Sequence, residues 1–214
     1  MTSKNVALLL VGAIAVMAAC VGQAAAAAKP LKVYILAGQS NMVGCGRVDQ
    51  FDYIGEDPNT APMLKLMRGP DGKPTVCDKV WISAYTGGGK PYRNDEWTGK
   101  LTAGLGGWRD PNALGGTMVG PVIGPEFTFG IYMQKLLDEP ILIIKVAWGG
   151  KDLYCDFRPP SAGKPTYAIP GGSDREIGLS YRLMMAHVKK VLSDPKRVCP
   201  AYDPKAGYEV AGFV

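Results

Sequence analysis

A β-branched and aromatic run, Val33-Tyr34-Ile35-Leu36, stops at Ala37-Gly38 and gives way at once to Gln39-Ser40-Asn41-Met42-Val43-Gly44. An unbroken apolar run followed by a glycine reads as a buried strand emptying into a tight turn. In open α/β sheets, ligands bind outside the carboxyl ends of the strands. A hydroxyl placed there, flanked by small residues that let a substrate approach, is a candidate nucleophile. Serine and asparagine are also ordinary turn residues, so the residues alone leave a plain polar turn open.

The rest of the chain alternates strand and helix. Residues 141–146 are the clearest buried strand, five aliphatics around Lys145. A further strand is expected at residues 79–85, and another begins at residue 210. Gly124-Pro125-Glu126 opens a helix, with proline in the first turn and an acidic side chain near the positive end of the dipole; Asp138-Glu139-Pro140 ends it. Ser173 or Asp174 is expected to cap a second helix with an apolar stripe at Ile177, Tyr181, Met184, Val188 and Val191, stopped by Asp194-Pro195. Residues 45–121 are rich in Gly, Pro and Asp, and connections that long are usually functional loops, here the walls of a cleft. Strands alternating with helices predict an α/β fold, a three-layer α/β/α sandwich around a parallel sheet.

Trp148-Gly149-Gly150 directly follows the second buried strand, so its backbone N–H groups are expected at the same cleft mouth as Ser40. Two glycines permit a turn that aims donors at a developing oxyanion, although a simple loop kink fits the same letters. Glu126 is expected in the substrate pocket, where it suits an acid–base role, or in a dipole role in the first helical turn. Gln39 and Asn41, on either side of the serine, either line the pocket or hydrogen-bond the turn.

The first 28 residues are read as a secretory signal peptide: Lys4 near the start, a nearly wholly apolar stretch over residues 6–19, and small-residue cleavage sites at 24–28. The apolar core is short for a membrane span, which needs about 20 residues. Met17-Ala18-Ala19-Cys20 also resembles a lipobox, which would make Cys20 a lipidated first residue. Each reading places the domain, residues 29–214, outside the cytosol, secreted or periplasmic. The formal net charge of +5 comes from Lys and Arg that are scattered rather than clustered, so no nucleic-acid partner is expected. Beyond Cys20 the four cysteines, Cys45, Cys77, Cys155 and Cys199, permit two disulfides or four free thiols. With no CxxC pair and a single histidine, no metal site is expected.

The string GQSNM after an apolar strand resembles the first sequence block of the SGNH hydrolases, and within them the sialate O-acetylesterases and related acetyl-carbohydrate esterases. IGPEFTFG at residues 123–130, and IIKVAWGGKDL at 143–153 running on to FRPP at 157–160, are similar to further blocks of that branch. The resemblance spans residues 31–214. It implies a flavodoxin-like strand order, Ser40 as nucleophile, an oxyanion hole built from the Ser40 N–H with Gly149 or Gly150, an acetylated carbohydrate as substrate, and no cofactor. It leaves the oligomeric state open.

One departure qualifies this. A serine hydroxyl is a weak nucleophile until a base takes its proton. The family takes that base from a DxxH motif, and none occurs here. The sole histidine, His187, lies in MMAHVKKVL with Met184 where the aspartate would stand, which suits a helix-face residue better than a base. The family's Trp-x-Gln-Gly segment, whose glutamine completes the oxyanion hole, is also missing after Val214. Two functions are therefore expected: a secreted O-acetylesterase lacking its C-terminal catalytic segment and feeble as this chain, or a non-catalytic carbohydrate-binding remnant with Trp81, Trp97, Trp108 or Trp148 as sugar platforms.

Overall fold

The computed structural model describes residues 29–87, 95–106, 122–168 and 175–214. Its centre is a sheet of β1 (Leu31–Gly38), β3 (Val80–Gly87), β4 (Asp95–Lys100), β6 (Ile141–Trp148) and β7 (Tyr208–Phe213), in the spatial order β4-β3-β6-β1-β7. β3, β6, β1 and β7 run parallel, and β4 pairs antiparallel with β3. All eight residues of β6 are buried, which is what a central strand covered on both faces requires.

The two faces carry separate cores. Leu36, Ile82, Ile141 and Ile143 pack on one side with Phe51 of α2 (Phe51–Glu56), Met67 of α3 (Ala61–Met67), and Phe127 and Ile131 of α4 (Pro125–Leu136). Val33, Leu142, Ile144, Val146 and Trp148 pack on the other with Met184, Val188 and Val191 of α5 (Leu179–Ser193). Alternate residues of each strand face alternate cores, as the pleat dictates. The result is the three-layer α/β/α arrangement with a mostly parallel sheet.

Several expectations are corrected in detail. By chain order the parallel strands lie second, third, first, fourth, because β3 sits outside β6; a flavodoxin-like order would place the second beside the first. Within the stretch read as loop, residues 51–56 and 61–67 are short helices, and β4 forms a hairpin partner for β3. These elements are too short for a period to show in sequence, and tertiary packing of Phe51 and Met67 holds them. α5 begins at Leu179, after Gly178 in a left-handed conformation (φ 73°), so Ile177 lies before the helix. Ser173, Asp174, Trp108 and the leader over residues 1–28 lie outside the described residues. Cys45, Cys77, Cys155 and Cys199 are free thiols; burial pushes Cys77 and Cys199 up to about 11, which keeps both protonated.

His187 is accounted for by the α5 face of the sheet. Its Nε2 lies 2.9 Å from Ser83 Oγ, which donates to Glu96 Oε1 at 2.9 Å. Since the serine's one proton goes to the carboxylate, the imidazole must carry its proton on Nε2 and donate to Ser83. The ring also stacks on Tyr85, with centroids 4.6 Å apart. Glu96 further accepts from Lys190 and Arg197, both at 2.6 Å. Burial pushes His187 down to about 4; Glu96, despite its own burial, is held at about 2 by Arg197, Lys190 and Ser83.

Both depressed values tie stability to pH in the same direction. In the unfolded chain the histidine binds its proton as pH falls through about 6.5, while the folded one resists until about 4, so stability drops across that window. The full loss is up to about 3 kcal/mol for a shift of that size. Glu96 adds a further loss between its ordinary 4.5 and about 2. Urea unfolding at pH 7, 5.5 and 4.5 is expected to show declining stability, and His187→Gln to flatten that decline above pH 4.5.

Candidate active site

Ser40 emerges from the carboxyl end of β1, where Gly38 registers against Ala147 of the neighbouring strand β6. The chain reverses sharply there: a Cβ on Gly38 would lie 2.8 Å from the Cβ of Met42, so only glycine permits the strand to enter the turn. Ser40 then opens α1 (Ser40–Val43), closed by Val43 N–H donating to Gln39 O at 2.8 Å and Gly44 N–H to Ser40 O at 3.0 Å. The serine is exposed and lines a cavity of about 430 Å³ with Asn41, Gly44, Cys45, Gly46, Ile123, Gly124 and Pro125. β2 (Gly46–Arg47) pairs antiparallel with β5 (Val122–Ile123) and so draws the start of α4 against the serine turn.

Beneath that cavity lies a buried ion pair. Lys145 Nζ sits 2.6 Å from Glu126 Oε2, and both side chains are fully buried. The ammonium also donates to the carbonyl oxygen of Val43 at 3.0 Å and, more loosely, to that of Leu105 at 3.4 Å. The other carboxylate oxygen accepts the N–H of Gly124 at 2.9 Å. One lysine on β6 thereby holds the end of the serine turn, the residue-105 loop and the helix carrying Glu126. Burial pulls the Lys145 ammonium below its ordinary 10.5, and the Glu126 carboxylate opposes that pull. Glu126, expected in the substrate pocket, is instead the buried counter-ion under its floor.

The cavity wall also depends on a backbone contact. Gly44 has φ 84°, and a Cβ on it would lie 2.2 Å from Gly124 Cα. Both the left-handed conformation and the close approach exclude any larger residue.

Gly149 and Gly150 leave β6 beside the serine's strand, and Gly150 is left-handed at φ 68° with open space around its Cα. Backbone conformation, rather than crowding, is what demands glycine there. The chain that follows is braced by a charged clamp. Asp152 Oδ1 accepts the N–H of Cys155 at 2.6 Å, while its own N–H donates to buried Asp156 at 3.0 Å. Arg175 bridges both carboxylates, 2.8 Å from Asp152 and closer to Asp156. Against the effect of burial, the Cys155 N–H and Arg175 hold the Asp152 carboxyl below its ordinary 3.8.

Of the residues singled out in the sequence, Ser40 and Asn41 share a cavity, and Gly149 and Gly150 stand at the adjacent strand end without lining it. Gln39 is exposed and contributes its backbone carbonyl to the turn. No side chain among the described residues hydrogen-bonds the Ser40 hydroxyl, and His187 lines a different cavity that shares no residue with this one. Trp148 is fully buried and edge-on to Tyr85 at 5.7 Å, so it is not a sugar platform. Lys145, Gly44, Gly124 and Cys45 were missed as site residues. The signal for Lys145 was present: a lysine among five aliphatics in a buried strand needs a counter-ion, and Glu126 was the acidic residue at the start of the next-packed helix.

No family model matches the chain, and no curated protein matches it. Among solved structures it is similar to a protein from Arabidopsis thaliana determined by X-ray crystallography at 1.6 Å, with a TM-score of 0.36 and 17% identity over 86% of this chain. The matched region spans 56% of that protein's length, and a likeness of this degree assigns no family.

Lys145→Met is expected to cost roughly 3–5 kcal/mol in urea unfolding, because it strands a buried carboxylate. Adding Glu126→Gln should recover most of that loss, since the amide oxygen still accepts from Gly124. Gly44→Ala is expected to destabilise by roughly 2 kcal/mol or more, from the left-handed φ and the clash with Gly124.

Proposed function

We propose that this chain carries the nucleophile and oxyanion donors of a secreted or periplasmic serine esterase that removes O-acetyl groups from carbohydrates, of the SGNH hydrolase, sialate O-acetylesterase-like kind. The observation that carries the reading is that Ser40 and Gly149-Gly150 leave the carboxyl ends of two adjacent parallel strands, registered Gly38 against Ala147.

In this reading Ser40 Oγ attacks the acetyl carbonyl carbon. The carbonyl oxygen, now negative, is met by the N–H of Ser40 and of Gly149 or Gly150. The tetrahedral adduct expels the sugar alkoxide, which takes a proton as it leaves, and water then hydrolyses the acetyl-serine. Asn41 lines the cavity that receives the substrate. The exposed, open mouth suits a sugar ester reaching in from solvent. No step calls for a metal or organic cofactor.

A base must take the Ser40 proton, and no described side chain hydrogen-bonds that hydroxyl. That observation favours a second reading, a carbohydrate-binding protein with the same cleft, in which exposed Trp97 is the remaining described candidate platform along with half-buried Trp81. Without a base, oxyanion donors and binding alone leave roughly 10³–10⁴-fold acceleration over water in well-studied serine enzymes.

The test is acetate release from p-nitrophenyl acetate and from acetylated sugars. Feeble turnover or none is expected for these 214 residues, and a large gain on appending a segment bearing DxxH that Ser40→Ala abolishes. Turnover of the lengthened version that is unchanged in Ser40→Ala would remove the nucleophile assignment. Binding of acetylated sugars with no Ser40-dependent turnover in either version would favour the second reading.

A further inference from the structure

The imidazole of His187 uses only one of its two nitrogens inside the fold. Nε2 donates to Ser83, which leaves Nδ1 an acceptor, and no described residue donates to it. Among the described residues, Ser180 Oγ is the only fully buried side-chain nitrogen or oxygen without a partner, so Nδ1 is not sealed inside the protein. The residue is 4% exposed, and its opening is a cavity of about 160 Å³ that it lines with Tyr85, Leu183, Ala186 and Lys190. Tyr85 covers one face of the ring, stacked at 13°, which leaves the edge with Nδ1 to meet what enters. Burial holds the imidazole down at about 4, so Nδ1 keeps its lone pair at neutral pH.

The charge beside this nitrogen is positive. Lys190 and Arg197 share the single carboxylate of Glu96, which leaves that network one positive charge in excess. Lys190 is a wall of the cavity and gives one N–H to Glu96, leaving two for a ligand. His187 and Lys190 stand three residues apart on α5, hence side by side. Leu183 and Ala186 complete the wall with alkyl surface.

We propose that this cavity binds a small α-hydroxycarboxylate of lactate's size, its hydroxyl donating to His187 Nδ1 and its carboxylate pairing with Lys190. Each part of that ligand answers one part of the wall. A cavity of this volume holds a molecule of about six non-hydrogen atoms. The excess positive charge selects an anion over a cation, and no group of three metal-ligating side chains occurs among the described residues. An anion without an O–H would take Nδ1 out of water and leave it unpaired. Neighbouring partners on one helix face suit a hydroxyl and a carboxylate on adjacent carbons, and the remaining methyl lies against Leu183 and Ala186. The site shares no residue with the Ser40 cavity and stands apart from the esterase reading.

The test uses lactate, propanoate, which lacks its hydroxyl, and 2-propanol, which lacks its charge. Titrations are followed by calorimetry and by the ring nitrogen resonances of His187, the chain's single histidine. Lactate should bind with a Kd of roughly 1 mM or below and move Nδ1 upfield while Nε2 stays in place. Propanoate should bind roughly threefold to tenfold more weakly, and 2-propanol more than tenfold. Ala186→Leu, at an exposed helical position, fills the cavity and should abolish the Nδ1 shift without unfolding the chain. Lys190→Met should weaken lactate roughly tenfold or more and leave 2-propanol unchanged. An Nδ1 resonance that lactate does not move overturns the site. So does lactate binding no tighter than propanoate, or equal in the wild type and Ala186→Leu.

Discussion

The contact between Lys145 and Glu126 governs how the pieces around Ser40 meet. A lysine in the centre of a fully buried strand carries a charge that cannot remain alone, and desolvation of an isolated ammonium would cost more than the domain's whole stability margin. Its three N–H groups reach a carboxylate and two main-chain carbonyls, each on a different segment. Because the ammonium must find all of them, the serine turn, the residue-105 loop and the start of α4 have one arrangement that satisfies it. Hydrophobic residues in place of both partners would pack as well or better, but would tie nothing together.

That tie explains the asymmetry of the sheet's carboxyl end. On the α4 side, the ion pair, the Gly44–Gly124 approach and the small β2–β5 ribbon build a cavity lined by backbone and short side chains, into which Ser40 and Asn41 project. On the α5 side, the wall after Gly150 is held by its own charged clamp, and its lining is apolar. Two rigid walls of opposite character thus flank a single strand end.

The polar network on the α5 face follows another logic. Ser83, His187 and Glu96 lie across β3, α5 and β4, with Lys190 and Arg197 closing the carboxylate's remaining positions. A chain of donors running from imidazole to hydroxyl to carboxylate satisfies the serine and the carboxylate, and it fixes β4, the antiparallel edge, against the helix. The single histidine is therefore consumed by architecture, and the hydroxyl of Ser40 has no described imidazole at hand.

How much of this could be read beforehand differs by residue. The strands at β1 and β6, the helix opened by Pro125 and the one running to Asp194 were legible because burial on both faces and a 3.6-residue stripe leave their marks in the order of residues. So was the pairing of Ser40 with Gly149-Gly150 at one end of the sheet, since both follow strands that had to be parallel neighbours or near neighbours. Short α2 and α3, the edge strand β4 and the position of β3 outside β6 left no such mark, for they are set by which face each segment finds to cover. The role of Glu126 could not be decided from its place in a first helical turn, because a dipole, a base and a counter-ion all suit that place. What the sequence by itself determined is a layered α/β domain with a hydroxyl and a glycine turn at the carboxyl ends of its strands, because periodicity and chain breaks are local properties. What only the tertiary structure decided is which charges neutralise one another, since Lys145 with Glu126, and His187 with Ser83 and Glu96, are partners made by distance in space and not by distance along the chain.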